Sequence, residues 1–210
     1  MKKLILPFLL ISTLASADIT VTNISAEKNN DKIHYEYTFP QFKFNGKELD
    51  YINSEFKDRI NILSEEGTQK DNYEDILEER VSYDKFDNTF GITSVVLYDY
   101  IYSGGAHGMT ALSEINIDDK TGEKLSFDDI FKTGFKEKLE NDILQIIKNN
   151  KDEDVVYFGD IENVDLDSAI FYFEGNDLVI KFSSYAIAPY SSGYPEFRFS
   201  KEQIKKYLNK

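Results

Sequence analysis

The chain has 210 residues, no cysteine and no tryptophan, and a formal charge of −14 from 24 basic and 38 acidic side chains. That balance repels nucleic-acid phosphates and anionic lipids, and it leaves a basic partner or cations as the favoured long-range attraction. The missing cysteine excludes disulfides, thiolate catalysis and cysteine-ligated zinc, so the fold must rest on a core, for which 14 tyrosines and 16 phenylalanines are available.

Residues 1–17 read as a signal peptide. Lys2 and Lys3 form a positive start, Leu4 to Leu14 an apolar stretch, and Ala15-Ser16-Ala17 a small-x-small cleavage site, so the mature chain is expected to begin at Asp18. The apolar run is shorter than the roughly 20 residues that span a bilayer, and no cysteine follows it to carry a lipid. A periplasmic or secreted protein with no membrane anchor after cleavage is therefore expected. Without those two lysines, 22 basic residues stand against 38 acidic ones and the charge becomes −16.

The mature chain opens on Ile19-Thr20-Val21-Thr22-Asn23-Ile24, which alternates as a strand does. A turn signal at Asn29-Asn30-Asp31 and a second alternating run, Ile33 to Phe39, predict a hairpin. Pro40 cannot donate to a sheet ladder and is expected to bend or end that strand at an edge, with Phe42-Lys43-Phe44 continuing the extended segment and Asn45-Gly46 closing it. From Lys47 the period changes, and Leu49, Ile52, Phe56, Ile60 and Leu63 mark one face of an amphipathic helix ended by Gly67. Residues 68–75 are polar and carry no clear period.

A run from Val81 to Phe90 is expected to pair with the strand 91–101, with Asp87-Asn88 near the turn. Thr110 to Ile117 alternates again and ends in the polar turn Asp118 to Glu123, whose acids lack the final ligand of a calcium loop. No metal or cofactor site is expected. Ser126 and Asp129 offer an N-cap for a short turn at Phe127 to Phe131, and a longer helix is expected over Phe135 to Ile147. Residues 148–167 are polar and read as a surface excursion. Ala169 to Phe173 and Leu178 to Phe182 flank good turn chemistry at Glu174-Gly175-Asn176-Asp177. Phe197-Arg198-Phe199 is a short strand, and Ser200 with Gln203 caps a final helix. Hairpins mixed with helices, rather than regular βαβ alternation, predict an α+β class of antiparallel sheet with helices packed on one face. The expected organisation is an N-terminal α+β subdomain, 18–90, followed by a C-terminal α+β domain, 91–210.

Two loops stand out as a candidate binding surface. The first is Tyr102-Ser103-Gly104-Gly105-Ala106-His107-Gly108, where low side-chain bulk permits unusual backbone angles and close approach. The second is Tyr185 to Pro195, which contains Pro189, Tyr190 and Tyr194. The binding residues expected from them are Tyr102, Ser103, Gly104, Gly105, His107, Tyr185, Pro189, Tyr190 and Tyr194.

The first loop resembles the Tyr-x-Gly-Gly-Ala-His-Gly signature of a bacterial extracytoplasmic family of unknown-function domains. Asn116 to Phe131 resembles the segment that follows in that family, Tyr185 to Phe199 its C-terminal signature, and Tyr37 to Phe44 with the following helix a companion domain. The family includes the extracellular part of a lysozyme-sensing anti-sigma factor and occurs beside the catalytic domain of some peptidoglycan deacetylases. The resemblance implies an exported α+β module that recognises a protein or wall glycan. This chain shows no transmembrane or anti-sigma segment and no His-rich deacetylase motif, so the recognition module alone is expected.

Three functions follow for comparison. One is a recognition protein for a basic partner, such as a lysozyme-like wall hydrolase. Charge complementarity supports it, as do loop tyrosines of the type that anchor interfaces. The alternative is a peptidoglycan-binding accessory module that stacks sugars on tyrosines, although an acidic surface suits an anionic wall polymer less well. The third, a hydrolase using His107 beside glycine amides, lacks a Gly-x-Ser-x-Gly elbow, a His-Glu-x-x-His motif and a phosphate loop. His107 is therefore expected to shape the loop, and the protein is expected not to be an enzyme.

Overall fold

The computed structural model describes residues 18–30, 33–64, 78–150 and 156–209, without the side chains of 62–64. The expectations for the signal peptide, Asp31, Gly67, residues 68–75 and residues 151–155 lie outside these residues. The elements in order are β1 (Ile19–Asn29), β2 (His34–Phe44), β3 (Lys47–Glu48), α1 (Asp50–Ser64), β4 (Glu78–Phe86), β5 (Ile92–Tyr102), β6 (Met109–Asp118), α2 (Phe127–Ile130), α3 (Phe135–Lys148), β7 (Ala169–Glu174), β8 (Asp177–Phe182), β9 (Glu196–Ser200) and α4 (Lys201–Ile204). They form a six-stranded sheet ordered β1-β2-β4-β5-β6, with β3 beside β2, and a three-stranded sheet ordered β7-β8-β9. The class is α+β, and most pairings are antiparallel.

The layers follow from where the apolar residues fall. On one side of the first sheet, Ile52 and Phe56 of α1 pack against Phe39, Val81, Val95 and Leu97. The Phe39 and Phe56 rings stack at 5.0 Å. On the other side, Phe86, Val96 and Tyr98 meet Ile170, Tyr172 and Val179 of the second sheet. The far face of that second sheet carries Phe173, Leu178, Ile180 and Phe182 against Phe135, Leu139 and Ile143 of α3. Each sheet thus holds a helix on one face and the other sheet on its other face. Ile92 to Leu97 is buried on both faces, as a central strand must be.

The second strand does not end at Pro40 but runs on as β2 to Phe44, and the proline sits where one rim of β2 is an edge. β4 pairs only with His34 to Tyr37, in parallel, and β3 only with Lys43 and Phe44. Between them the rim of β2 is free of strand, so the missing N–H of Pro40 interrupts no ladder there. Asn53 of α1 fills part of this gap. Its Oδ1 accepts from the Phe42 N–H and its Nδ2 donates to the Phe42 carbonyl, both at 2.9 Å. Within this α+β fold, β2, α1 and β4 make one parallel β-α-β crossover, while the other strand pairings among the described residues are antiparallel. The position 90/91, expected as a boundary between subdomains, falls in the turn between the paired strands β4 and β5.

Side chains of the first sheet also satisfy the outer rim of β7. Ser94 Oγ accepts from the Phe173 N–H at 3.1 Å and donates to Asn116 Oδ1 at 2.7 Å, while Asn116 Nδ2 donates to the Phe171 carbonyl at 3.0 Å. Buried Ser94 and Asn116 therefore stand in for a strand along an edge that would otherwise lie unpaired between layers.

Candidate functional site

The two loops singled out in the sequence meet in space. After β5, Gly104 and Gly105 take φ of 97° and 94°, the left-handed region that a Cβ resists, and reverse the chain into β6. The Tyr102 hydroxyl closes the turn by donating to the Gly105 carbonyl at 3.1 Å. Gly108 is required for a different reason. A Cβ there would lie 2.5 Å from the Tyr100 ring, so the absence of a side chain lets that ring pack on the backbone.

His107 joins this loop to the second. Its ring stacks on Tyr190 with centroids 4.0 Å apart and planes 17° from parallel. Its Nδ1 lies 2.9 Å from the Gly108 carbonyl, an acceptor, which places the proton on that nitrogen. Nε2 is then left to accept from the Tyr185 hydroxyl at 3.4 Å. Tyr185 sits at φ 68°, a costly angle for a bulky side chain, and its ring lies 5.9 Å from that of Tyr190. Tyr185 and Tyr190 remain 48% and 38% exposed, so the cluster is a surface rather than a core. Pro189 precedes the short 3-10 turn Tyr190–Ser192 that presents Tyr190. Ser103, Gly104 and Gly105 are exposed on the other flank.

Tyr194 does not join the ring cluster. It forms a wall of an adjoining cleft of about 280 Å³, whose remaining lining is Arg80, Ser82, Tyr98, Tyr100 and Thr110. Strand register explains the floor. Arg80, Tyr100 and Thr110 form one row across β4, β5 and β6, and Ser82 with Tyr98 forms the next. The Arg80 guanidinium lies 5.8 Å from the Tyr100 ring centre and is paired with Glu78. Lys181 of β8 stands over the Tyr98 and Tyr194 rings at 5.5 and 5.8 Å and is held by Glu196 at 2.9 Å. Burial works against the charge on Lys181, but the Glu196 bond prevails and keeps its pKa raised. Burial likewise raises Tyr98, so its phenol stays protonated as a donor.

Sequence reasoning missed Arg80, Ser82, Tyr98, Tyr100, Thr110 and Lys181. A signal for part of the set was present in Tyr98-x-Tyr100-x-Tyr102, three aromatics on one face of a strand. Nothing local showed that Tyr194 would face them. Of the expected residues, the structure brings His107, Tyr185 and Tyr190 into direct contact. It places Tyr102 to Gly105 beside them and gives Tyr194 to the cleft.

Among known proteins, residues 26–110 match the family model described as deacetylase PdaC, and residues 128–202 match the model described as protein of unknown function (DUF3298). No curated protein matches the chain. Two crystal structures share the fold. One is a DUF3298 family protein from Pseudomonas aeruginosa PAO1, 17% identical, with a TM-score of 0.58 over 92% of this chain and 96% of that one. The other is a DUF3298 family member from Bacteroides fragilis NCTC 9343, 14% identical, with a TM-score of 0.58 over 93% of this chain and 94% of that one. The glycine loop lies in the first matched segment and the aromatic loop in the second, so the chain is similar to a PdaC-type segment followed by a DUF3298 segment, and the His107–Tyr190 stack is one of the contacts between the two.

Proposed function

We propose that this protein is a non-catalytic recognition module of the cell envelope that binds a basic protein partner, a lysozyme-like wall hydrolase being the first candidate, through the surface made by its two loops. The observation that carries this reading is the exposed His107, Tyr185 and Tyr190 cluster, assembled from segments 78 residues apart on a strongly acidic chain. Tyrosines held rigidly in an exposed cluster lose little freedom on binding, which is the property of interface anchors. Acidity raises the encounter rate with a cationic partner. The hydrogen-bonding capacity of His107 is spent within the loops, one nitrogen on Gly108 and the other on Tyr185, which favours positioning over proton transfer. Calorimetry with lysozyme at two salt concentrations tests the reading. Binding that weakens in salt and is lost in Tyr190→Ala is expected, and no heat at low salt would sink the idea.

A second reading, a wall-glycan site, is favoured by the cleft. Tyr98, Tyr100 and Tyr194 offer ring faces, and Ser82, Thr110 and Arg80 offer hydrogen bonds in a space fit for one sugar ring. Sedimentation with purified peptidoglycan separates the readings. Retention that depends on Tyr194 and not on Tyr190 supports the glycan.

A further inference from the structure

At the opposite end of the interface between the sheets lies a cavity of about 550 Å³, separate from both loops. It opens where the edge strand β6 passes the edge strand β7, and α2 and the first turn of α3 close it. Its volume falls within the roughly 300–1,000 Å³ of small-molecule sites. The floor is apolar, made by Leu125, Phe127, Leu166, Ile170 and Phe171.

The charged part of the lining is unbalanced. Three carboxylates, Glu114, Asp128 and Asp167, face two lysines, Lys124 and Lys136. Lys136 is already bound to Asp167 at 2.5 Å, and the Lys124 side chain is exposed. Asp128 makes no ion pair among the described residues. Glu114 reaches inward from β6, on the same face as Asn116. Burial raises its pKa, while a hydrogen bond from its own backbone N–H, the charge of Lys124 and a backbone hydrogen bond at Phe171 oppose that shift only in part. A carboxylate desolvated above an aromatic floor and compensated only in part gains from a further cation on the open side.

We infer that this cavity binds a small cationic amphiphile, an ammonium group carried on a compact apolar body. The ammonium donates to Glu114, with Asp128 as the outer acceptor, and the body lies on Phe127 and Phe171. An anion has no free partner here except Lys124, and a neutral apolar molecule leaves Glu114 as it was. The inference concerns a site other than the loop surface and stands or falls independently of it.

The test is a ligand-charge series on the full chain. Cyclohexylammonium, cyclohexanol and cyclohexanecarboxylate share one apolar ring and are titrated into isotope-labelled protein while the amide resonances of Glu114, Phe127 and Phe171 are followed by NMR. Saturable shifts with the ammonium are expected, with the alcohol and the carboxylate at least about tenfold weaker. Glu114→Gln is expected to weaken the ammonium about tenfold, and Asp128→Asn by a smaller factor. Equal binding of the three probes, a preference for the carboxylate, shifts that never saturate, or an unchanged affinity in Glu114→Gln each overturns the proposal. If the Gln variant does not fold, the charge series on the unaltered protein still decides.

Discussion

The glycines of the first loop make different demands, and substitution separates them. Gly104 meets no atom that a Cβ would strike, but its φ of 97° is unfavourable for any other residue. Gly104→Ala is expected to cost about 1 kcal/mol, all of it backbone strain. At Gly108 the backbone is ordinary and the obstacle is the Tyr100 ring at 2.5 Å. Gly108→Ala must displace that ring, at about 1–3 kcal/mol by the usual cost of overpacking, and it reshapes the cleft floor. Thermal unfolding of both variants with NMR of the Tyr100 ring checks this: the ring signals should move in Gly108→Ala and stay in Gly104→Ala. His107→Ala removes an exposed stack, the bond to the Gly108 carbonyl and the longer one to the Tyr185 hydroxyl. Its global cost should stay near ~1 kcal/mol, while amide exchange through residues 185–193 should quicken because the tie between loops is gone. Glu114 gives a prediction with a definite sign. Its carboxyl pKa is raised in the folded state, chiefly by burial, so the native protein holds that proton to higher pH than the unfolded chain does. Stability from this group therefore falls as pH rises through the interval between the unfolded and folded values. Glu114→Gln should accordingly gain more in Tm at pH 7 than at pH 4, and an equal gain at both would refute the burial argument.

Strands and helices owe their joins to buried amides and hydroxyls that mimic a missing strand. Asn53 is completely buried and serves both backbone groups of Phe42. Asn53→Ala strands a buried N–H and a second bond to the carbonyl, which Leu49 N–H also reaches at 3.0 Å. A loss of about 2–4 kcal/mol is expected from one unsatisfied donor and one lost acceptor bond, readable as a lower urea midpoint. Asn53→Asp keeps only the acceptor and should recover part of the loss. This feature also marks how far elements were legible in the sequence. Alternation and turn residues are local, so both hairpins, the α1 stripe and the capping boxes at Ser126 and Ser200 could be read directly. The parallel pairing of β2 with β4 could not, because it joins strands across α1 and residues 65–77 and leaves no local period. Pro40 announced an edge, but that β2 could run straight on through it depends on where β4 stops, which is a tertiary fact.

At the scale of the whole molecule, the site was half legible. Glycines and exposed tyrosines announced two unusual loops, but their contact, and the capture of Tyr194 by a cleft floored from β4, β5 and β6, depend on how the two sheets stack. Charge, in contrast, is written in the composition and acts without regard to that stacking. At −14 the chain attracts a cationic partner from a distance, and salt screens that attraction over a Debye length of about 8 Å at physiological strength. The ring cluster acts only in contact, where salt reaches it little. If the loops are the recognition surface, these contributions must separate in the kinetics. Raising salt should slow association with lysozyme by at least tenfold and leave dissociation nearly unchanged. Tyr190→Ala should do the reverse and speed dissociation by ~10-fold or more, the size of an interface anchor. Surface plasmon resonance measures both rates in one experiment. Should salt act on dissociation, or should Tyr190→Ala leave it untouched, the charge and the loops do not divide the work in this way, and the partner must sit elsewhere on the surface.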